Sequence, residues 1–170
     1  RLCTTMAAER SGTSQLVDKR WLIEHYTDLQ EPVQVTPERP TQSIYIGNCK
    51  NCVIQITGKF NGLNINQCEG VGIVFDSCIA TCEAVNSKKL QIQVTGTVPM
   101  FQVDKSTNIT LFISEASLGC RVYTAKSSEV KCVLPPESED GDMVELAIPE
   151  MFESRFENNS MVPTVRTAAD

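Results

Sequence analysis

From residue 44 onward the sequence repeats with a period of nineteen, and no other property narrows the fold as far. On that period one row reads Ile44, Leu63, Cys82, Phe101 and Cys120, and the row two places on reads Ile46, Ile65, Ala84, Val103 and Val122. A third row is Ile54, Ile73, Ile92 and Leu111, and a fourth is Ile56, Phe75, Val94 and Ile113. Between the two pairs of rows lies a polar corner, Asn48, Gln67, Asn86 and Lys105, followed by the small residues Cys49, Cys68, Ser87 and Ser106. A two-residue insertion near Lys126 shifts the last strand, so that Cys132 and Leu134 continue the third and fourth rows.

Apolar residues two places apart mark a strand with one buried face. Each repeat therefore holds two strands joined by a tight corner, and one repeat alone cannot bury its inward side chains. Stacking repeats ~4.8 Å apart buries the rows and pairs the backbones. Parallel crossovers are right-handed. The pattern predicts an all-β, right-handed parallel β-helix of five to six coils, about nineteen residues each, with a C-terminal β-hairpin extension. A third short strand is expected near Phe60, Ile79, Val98 and Ser117, after the bends at Gly58 and Gly96. A leucine-rich repeat has a similar period, but its Asn and Leu signature is missing.

The ends read differently. Residues 1–19 are polar and predict a flexible leader; a start at Arg1 reads as a fragment, or as a leader ahead of Met6. The β-helix is expected over residues 20–134, with Trp21–Ile23 and Val33–Val35 as a first irregular coil and Val35 in the third row. Residues 135–170 read as an acidic loop and a hairpin, formed by Met143–Pro149 and Met161–Thr167, that caps its own β-helix or swaps onto a second copy. Helices are scarce, with 150–157 a weak candidate for one or two turns. The outward row Gln55, Val74, Gln93, Phe112 and Val133 is partly apolar, which suggests an interface with Met151, Phe152 and Phe156 as its cover, or scattered surface residues.

Charge and chemistry exclude several functions. Residues 135–158 hold Glu137, Glu139, Asp140, Asp142, Glu145, Glu150, Glu153 and Glu157 against Arg155, while the whole chain carries −6. The rest is nearly neutral, which argues against nucleic acid. The acidic stretch is a solvated loop or a tail for a basic partner. No apolar run approaches the ~20 residues of a membrane span, and no secretory signal is visible, so the expectation is a cytoplasmic protein with reduced thiols. Cys49 with Cys52 and Cys78 with Cys82 resemble metal pairs in spacing, but the repeat explains them as core and corner residues. With His25 the only histidine, no catalytic triad is assembled. No glycine-rich phosphate loop occurs. A non-enzymatic protein-binding platform without metal or cofactor is the expectation.

The rows, together with Gly72-Ile73-Val74-Phe75-Asp76, Gly96-Thr97-Val98-Pro99, Ala125-Lys126-Ser127-Ser128-Glu129, Val133-Leu134-Pro135 and Pro149-Glu150-Met151-Phe152, resemble the C-terminal domain of cyclase-associated proteins over roughly residues 20–170. The resemblance implies a right-handed β-helix, a homodimer made by exchange of the C-terminal hairpin, and binding of ADP-actin monomers with promotion of ADP-for-ATP exchange, in the actin cytoskeleton. It implies actin contacts at Lys59, Lys88 and Lys126 and at Val162, Pro163, Thr164 and Val165 near the chain's end. Hairpin exchange would place Leu146, Ile148, Pro149, Phe152 and Phe156 in the dimer interface. The chain departs from the pattern at Thr41, nineteen before Phe60, where the family is often basic nearby and Arg39 is the neighbouring cation. Two alternatives remain. Tubulin-folding cofactor C and its relatives share this β-helix and supply an arginine to a small GTPase, but the matching position here is Asn64. The other is a purely structural dimerisation module.

Overall fold

The computed structural model describes residues 12–138 and 141–166. Residues 1–11, Glu139, Asp140 and Thr167, on which parts of the expected leader, acidic loop and hairpin fall, lie outside the described residues. Strand β1 (Thr13–Val17) pairs antiparallel with β2 (Arg20–Glu24), so strand structure begins within the stretch expected to be a flexible leader. Six coils follow. Each contributes one strand to either of two parallel stacks: β2 with β3 (Val33–Val35), β4 (Ser43–Gly47) with β5 (Lys50–Phe60), β6 (Leu63–Asn66) with β7 (Glu69–Cys78), β8 (Cys82–Val85) with β9 (Lys88–Val94), β10 (Met100–Asp104) with β11 (Thr107–Phe112), and β12 (Arg121–Ala125) with β13 (Ser128–Leu134).

The four rows become the core. Ile44 pairs with Leu63 and Ile54 with Ile73 in register, and all four are essentially fully buried. Burying each such side chain contributes about 1.5–3 kcal/mol. Phe60 and Phe75 meet edge to face at 5.6 Å between ring centroids.

Three registers differ from the nineteen-residue reading. Val33, and not Val35, pairs with Ile54, so the first coil is two residues longer. Phe101 pairs with Val122, not with Cys120, which places the insertion before β12 and not near Lys126. The extra residues form a short 3-10 turn, Glu115–Ser117, closed by Leu118 and Gly119. Cys120 is displaced from the core as a result and is only half-buried. The third side of the coil carries no separate strand. Its inner row is Phe60, Cys78, Val98 and Ser117, and Ile79 faces solvent. The shift arises at Gly58, whose φ of 103° permits a register shift between Ile56 and Lys59.

The C-terminal segment also departs from expectation. β14 (Val144–Ala147) adds antiparallel to β13 and extends the second sheet. The hairpin is instead β15 (Met151–Glu157) with β16 (Ser160–Arg166), so residues 150–157 are extended and not helical. This hairpin forms a sheet of its own, and Met151, Phe152 and Phe156 are exposed there and do not cover the outward row. Among the described residues there is no helix long and apolar enough to cross a membrane.

Candidate binding surfaces

Each coil after the first passes from the first sheet to the second through a residue with positive φ: Asn48, Gln67, Asn86, Lys105 and Lys126, all between 48° and 53°. The small residue that follows turns inward and ties the coils together. The N–H groups of Cys68, Ser87 and Ser106 donate to the hydroxyls of Ser87, Ser106 and Ser127 in the next coil, each at 3.1 Å. Those hydroxyls donate back to the carbonyls of Val85, Asp104 and Ala125 at 2.8–2.9 Å. Cys49 and Cys68 continue this ladder with thiols that donate to Gly47 O and Asn66 O, both at 3.4 Å. The bonding members of the corner are thus the small inward residues, which leaves the corner residues on a rigid edge, exposed to solvent.

That edge becomes basic in its last three coils. Lys105 and Lys126 occupy neighbouring corner positions, with the Lys105 N–H donating to Ala125 O at 3.0 Å. Lys88 lines one groove with Lys105, Asn86 and Thr107. Lys89 stands at a second left-handed position, with φ 54°. The long cations at 89, 105 and 126 thus adopt a backbone conformation that ordinarily favours Asn or Gly. Glu69 faces Lys88 at 3.3 Å and Lys50 at 3.9 Å, but these pairs are solvent-exposed and contribute little. Lys88 and Lys126 are therefore brought onto one ridge, and Lys89 and Lys105, neither expected from the sequence to be a contact, belong with them.

Lys59 does not. The row of Lys50 continues through Glu69 to Lys88, and Lys59 lies nine residues further along β5. At ~3.3 Å per residue the path along β5 from Lys50 to Lys59 is at most about 30 Å. Between them runs the outer face of the second sheet, with Val53, Gln55, Val74, Gln93 and Phe112.

The hairpin turns through Asn158 and Asn159, at φ 49° and 61°, a two-residue turn with both centres left-handed. Its pairing puts Phe152, Phe156, Met161, Pro163 and Val165 on one face. Phe156 is 83% exposed and Phe152 60%. Val162 and Thr164 share the other face with Glu153, whose carboxyl is held below the usual range by hydrogen bonds from Arg155 and then Arg166. Leu146 pairs with Cys132 and is half-exposed, Ile148 packs on the core, and Pro149 is exposed.

Asn64 sits on the outer face of β6 and donates to Glu83 Oε2 at 2.7 Å. The side chain is engaged in a lateral ladder where a GTPase activator would present an arginine. Among the described residues, no group of three or more His, Cys, Asp and Glu side chains is placed to hold a metal. Cys52 and Cys68 are pushed up by their hydrogen bonds to the Cys49 sulfur and then by burial. Burial pushes Cys78 up to about 11, and burial followed by the neighbouring Cys120 pushes Cys132 up to about 11.

Fold and surface define a six-coil, right-handed parallel β-helix domain that carries a basic corner ridge and a separate apolar hairpin. The family described as adenylate cyclase associated (CAP) C terminal matches residues 10–168, and the chain belongs to it. Among similar curated proteins, an adenylyl cyclase-associated protein of Dictyostelium discoideum is 36% identical over 91% of this chain and 33% of its own length. Adenylyl cyclase-associated protein 2 of Homo sapiens is 34% identical over 87% of this chain and 30% of its own. The chain thus spans about a third of the length of these relatives. The crystal structure of the cyclase-associated protein from Cryptosporidium parvum superposes with a TM-score of 0.86 at 27% identity, covering 91% of this chain and 94% of that one.

Proposed function

We propose that this domain binds actin monomers in their ADP form, promotes exchange of ADP for ATP, and acts as a homodimer within the actin cytoskeleton of the cytoplasm. Membership of the cyclase-associated protein family gives the setting. The observation that carries the reading is the ridge of Lys88, Lys105 and Lys126 in consecutive coils, a rigid cationic edge suited to an acidic protein surface. Lys59 marks a second contact, and a partner that reaches both must cover the outer face of the second sheet. The domain works by favouring one conformation of its partner, which is differential binding and needs no catalytic side chain.

Two apolar surfaces support the dimer. One is the exposed hairpin face of Phe152 and Phe156. The other is the end of the last coil, where Val144 and Leu146 remain 42% and 49% exposed beside Ile148 and Pro149. A lone two-stranded hairpin is marginal in water, and exchange between two copies covers both surfaces at once. Pro163 and Val165 share the face that exchange would bury, so actin contact near the end of the chain falls to Val162 and Thr164.

The test is release of a fluorescent nucleotide from ADP-actin. Acceleration at micromolar protein is expected, with loss of binding and unchanged thermal stability in the combined Lys59→Glu, Lys88→Glu variant. No acceleration and no capture of monomeric actin would sink the reading.

A further inference from the structure

The third side of the β-helix carries a surface of which the preceding contacts use only Lys59. On this side the residue after each buried one faces out: Ile79 after Cys78, Pro99 after Val98, and Leu118 after Ser117. Ile79 is 46% exposed and Leu118 55%, among the most exposed large apolar residues of the β-helix body. Coils stack ~4.8 Å apart, so Ile79 and Pro99 in neighbouring coils form a small apolar patch, whereas Leu118 stands on the Glu115–Gly119 turn, outside the lining they share. Ile79 and Pro99 line a groove whose rim includes Lys59 on one side and Arg121 on the other.

Backbone bonds hold the walls. The Val98 N–H donates to Ser117 Oγ and the Thr97 N–H to Ser77 Oγ, each at 3.0 Å. Ser114 and Ser117 hydroxyls donate to Gly96 O at 2.5 and 3.1 Å, and the Arg121 N–H to Pro99 O at 3.1 Å. The groove is therefore preformed. Its charge is one-sided. The carboxylate of the nearby Asp76 accepts from Gly58 N–H at 2.6 Å and Thr95 Oγ1 at 3.0 Å. Glu115 lies on the adjoining turn but outside the lining. Neither Lys59 nor Arg121 has an ion-pair partner among the described residues.

We infer that this groove docks an acidic segment of the actin monomer bearing an exposed apolar side chain, which lies along Ile79 and Pro99 while its carboxylates meet Lys59 and Arg121. The inference rests on the actin-binding reading above and extends it to a second contact area. Charge complementarity and continuity with Lys59 select the occupant.

The test compares binding of fluorescently labelled ADP-actin by the wild-type chain with two variants. The groove variant is Ile79→Ser, Arg121→Glu, both at exposed positions. The ridge variant is Lys88→Glu, Lys126→Glu. A roughly tenfold loss of affinity in the groove variant, with circular dichroism and sedimentation unchanged, is expected. Restoring Arg121 alone should recover much of the association rate at low salt. If the ridge variant loses affinity and the groove variant does not, the groove assignment is overturned and actin binding stands. If the groove variant changes only the sedimentation of the protein, the occupant is a second copy and the assignment is again wrong. A wild-type chain that binds no actin removes the reading and this extension with it.

Discussion

Replacing Ser87 by Ala removes one rung of the corner ladder and little else. Ser87 is 4% exposed, accepts from the Cys68 N–H at 3.1 Å and donates to Val85 O at 2.8 Å. The Val85 carbonyl keeps a second donor, the Gln67 N–H at 3.2 Å. The Cys68 N–H has no other partner among the described residues, so the substitution leaves a donor buried and unpaired. Such a group costs about 1–3 kcal/mol. A loss of ~2 kcal/mol is expected, roughly a 30-fold change in the folding constant and a large share of a domain's ~5–15 kcal/mol. In urea the midpoint should fall by about 1 M with an unchanged slope. Ser87→Cys is the control, because Cys68 and Cys49 already hold this position in the neighbouring coils. It should lose less than about 1 kcal/mol. Ser128→Ala, in an exposed pair with Thr107, should stay within ~0.5 kcal/mol. If Ser87→Ala is as stable as wild type, or Ser87→Cys is equally damaged, the ladder is not what ties the coils together.

Phe156→Glu should convert a dimer to monomer in sedimentation equilibrium, because it charges the most exposed side chain of the apolar hairpin face while the β-helix melts unchanged; an unaltered dimer would place the interface elsewhere. Alkaline pH should destabilise the fold. Burial raises Cys78 and Cys132 to about 11 from 9, so between those values the unfolded chain holds fewer protons than the folded one and stability falls as pH rises. The loss is ~1.4 kcal/mol per pH unit for each thiol in that window. Urea midpoints measured above and below pH 9 should show it, with a gentler slope in Cys78→Ala; a flat profile in the wild type contradicts the burial of these thiols.

The rows from Ile44 to Leu111 are legible in the sequence because burial and pairing repeat together. What the sequence hides is a slip of two. Side chains on a strand alternate with a period of two, so shifting a coil by two residues leaves every apolar residue on the inner face. Cys120 and Val122 are both acceptable partners for Phe101, and Val33 and Val35 for Ile54; hydrophobic pattern alone cannot choose between them. The structure chooses Val122 and Val33 because the extra residues find room on the third side and in the first coil. The hairpin was misplaced for a different reason. Its signal is the turn Asn158–Asn159, not the apolar content of Met143–Pro149, whose pairing with β13 is a tertiary choice. The lysine ridge was half legible. Lys88 and Lys126 are marked by resemblance and Lys105 stands in the corner row of the repeat, but Lys126 falls in line with Lys105 only in the true register.

The same tolerance to a slip explains where surface features are built on this fold. An insertion of two leaves the core rows intact provided the excess is extruded between the strands, and the third side is where the chain extrudes it. Both rims of the groove follow such irregularities. Lys59 comes directly after Gly58, where the register shifts past Ile56, and Arg121 comes one residue beyond the Glu115–Gly119 turn. Bulges re-aim side chains at the price of local pairing, and here each re-aimed side chain is a cation beside exposed apolar residues. The regular part of the repeat supplies a rigid frame, and its two departures from regularity set the chemistry that a partner meets. Removing the Glu115–Gly119 excess by deleting two residues should therefore spare the core rows, withdraw Leu118, and abolish the contribution of Arg121 to binding; a shortened chain that folds and still loses affinity on Arg121→Glu would show that the turn does not position it.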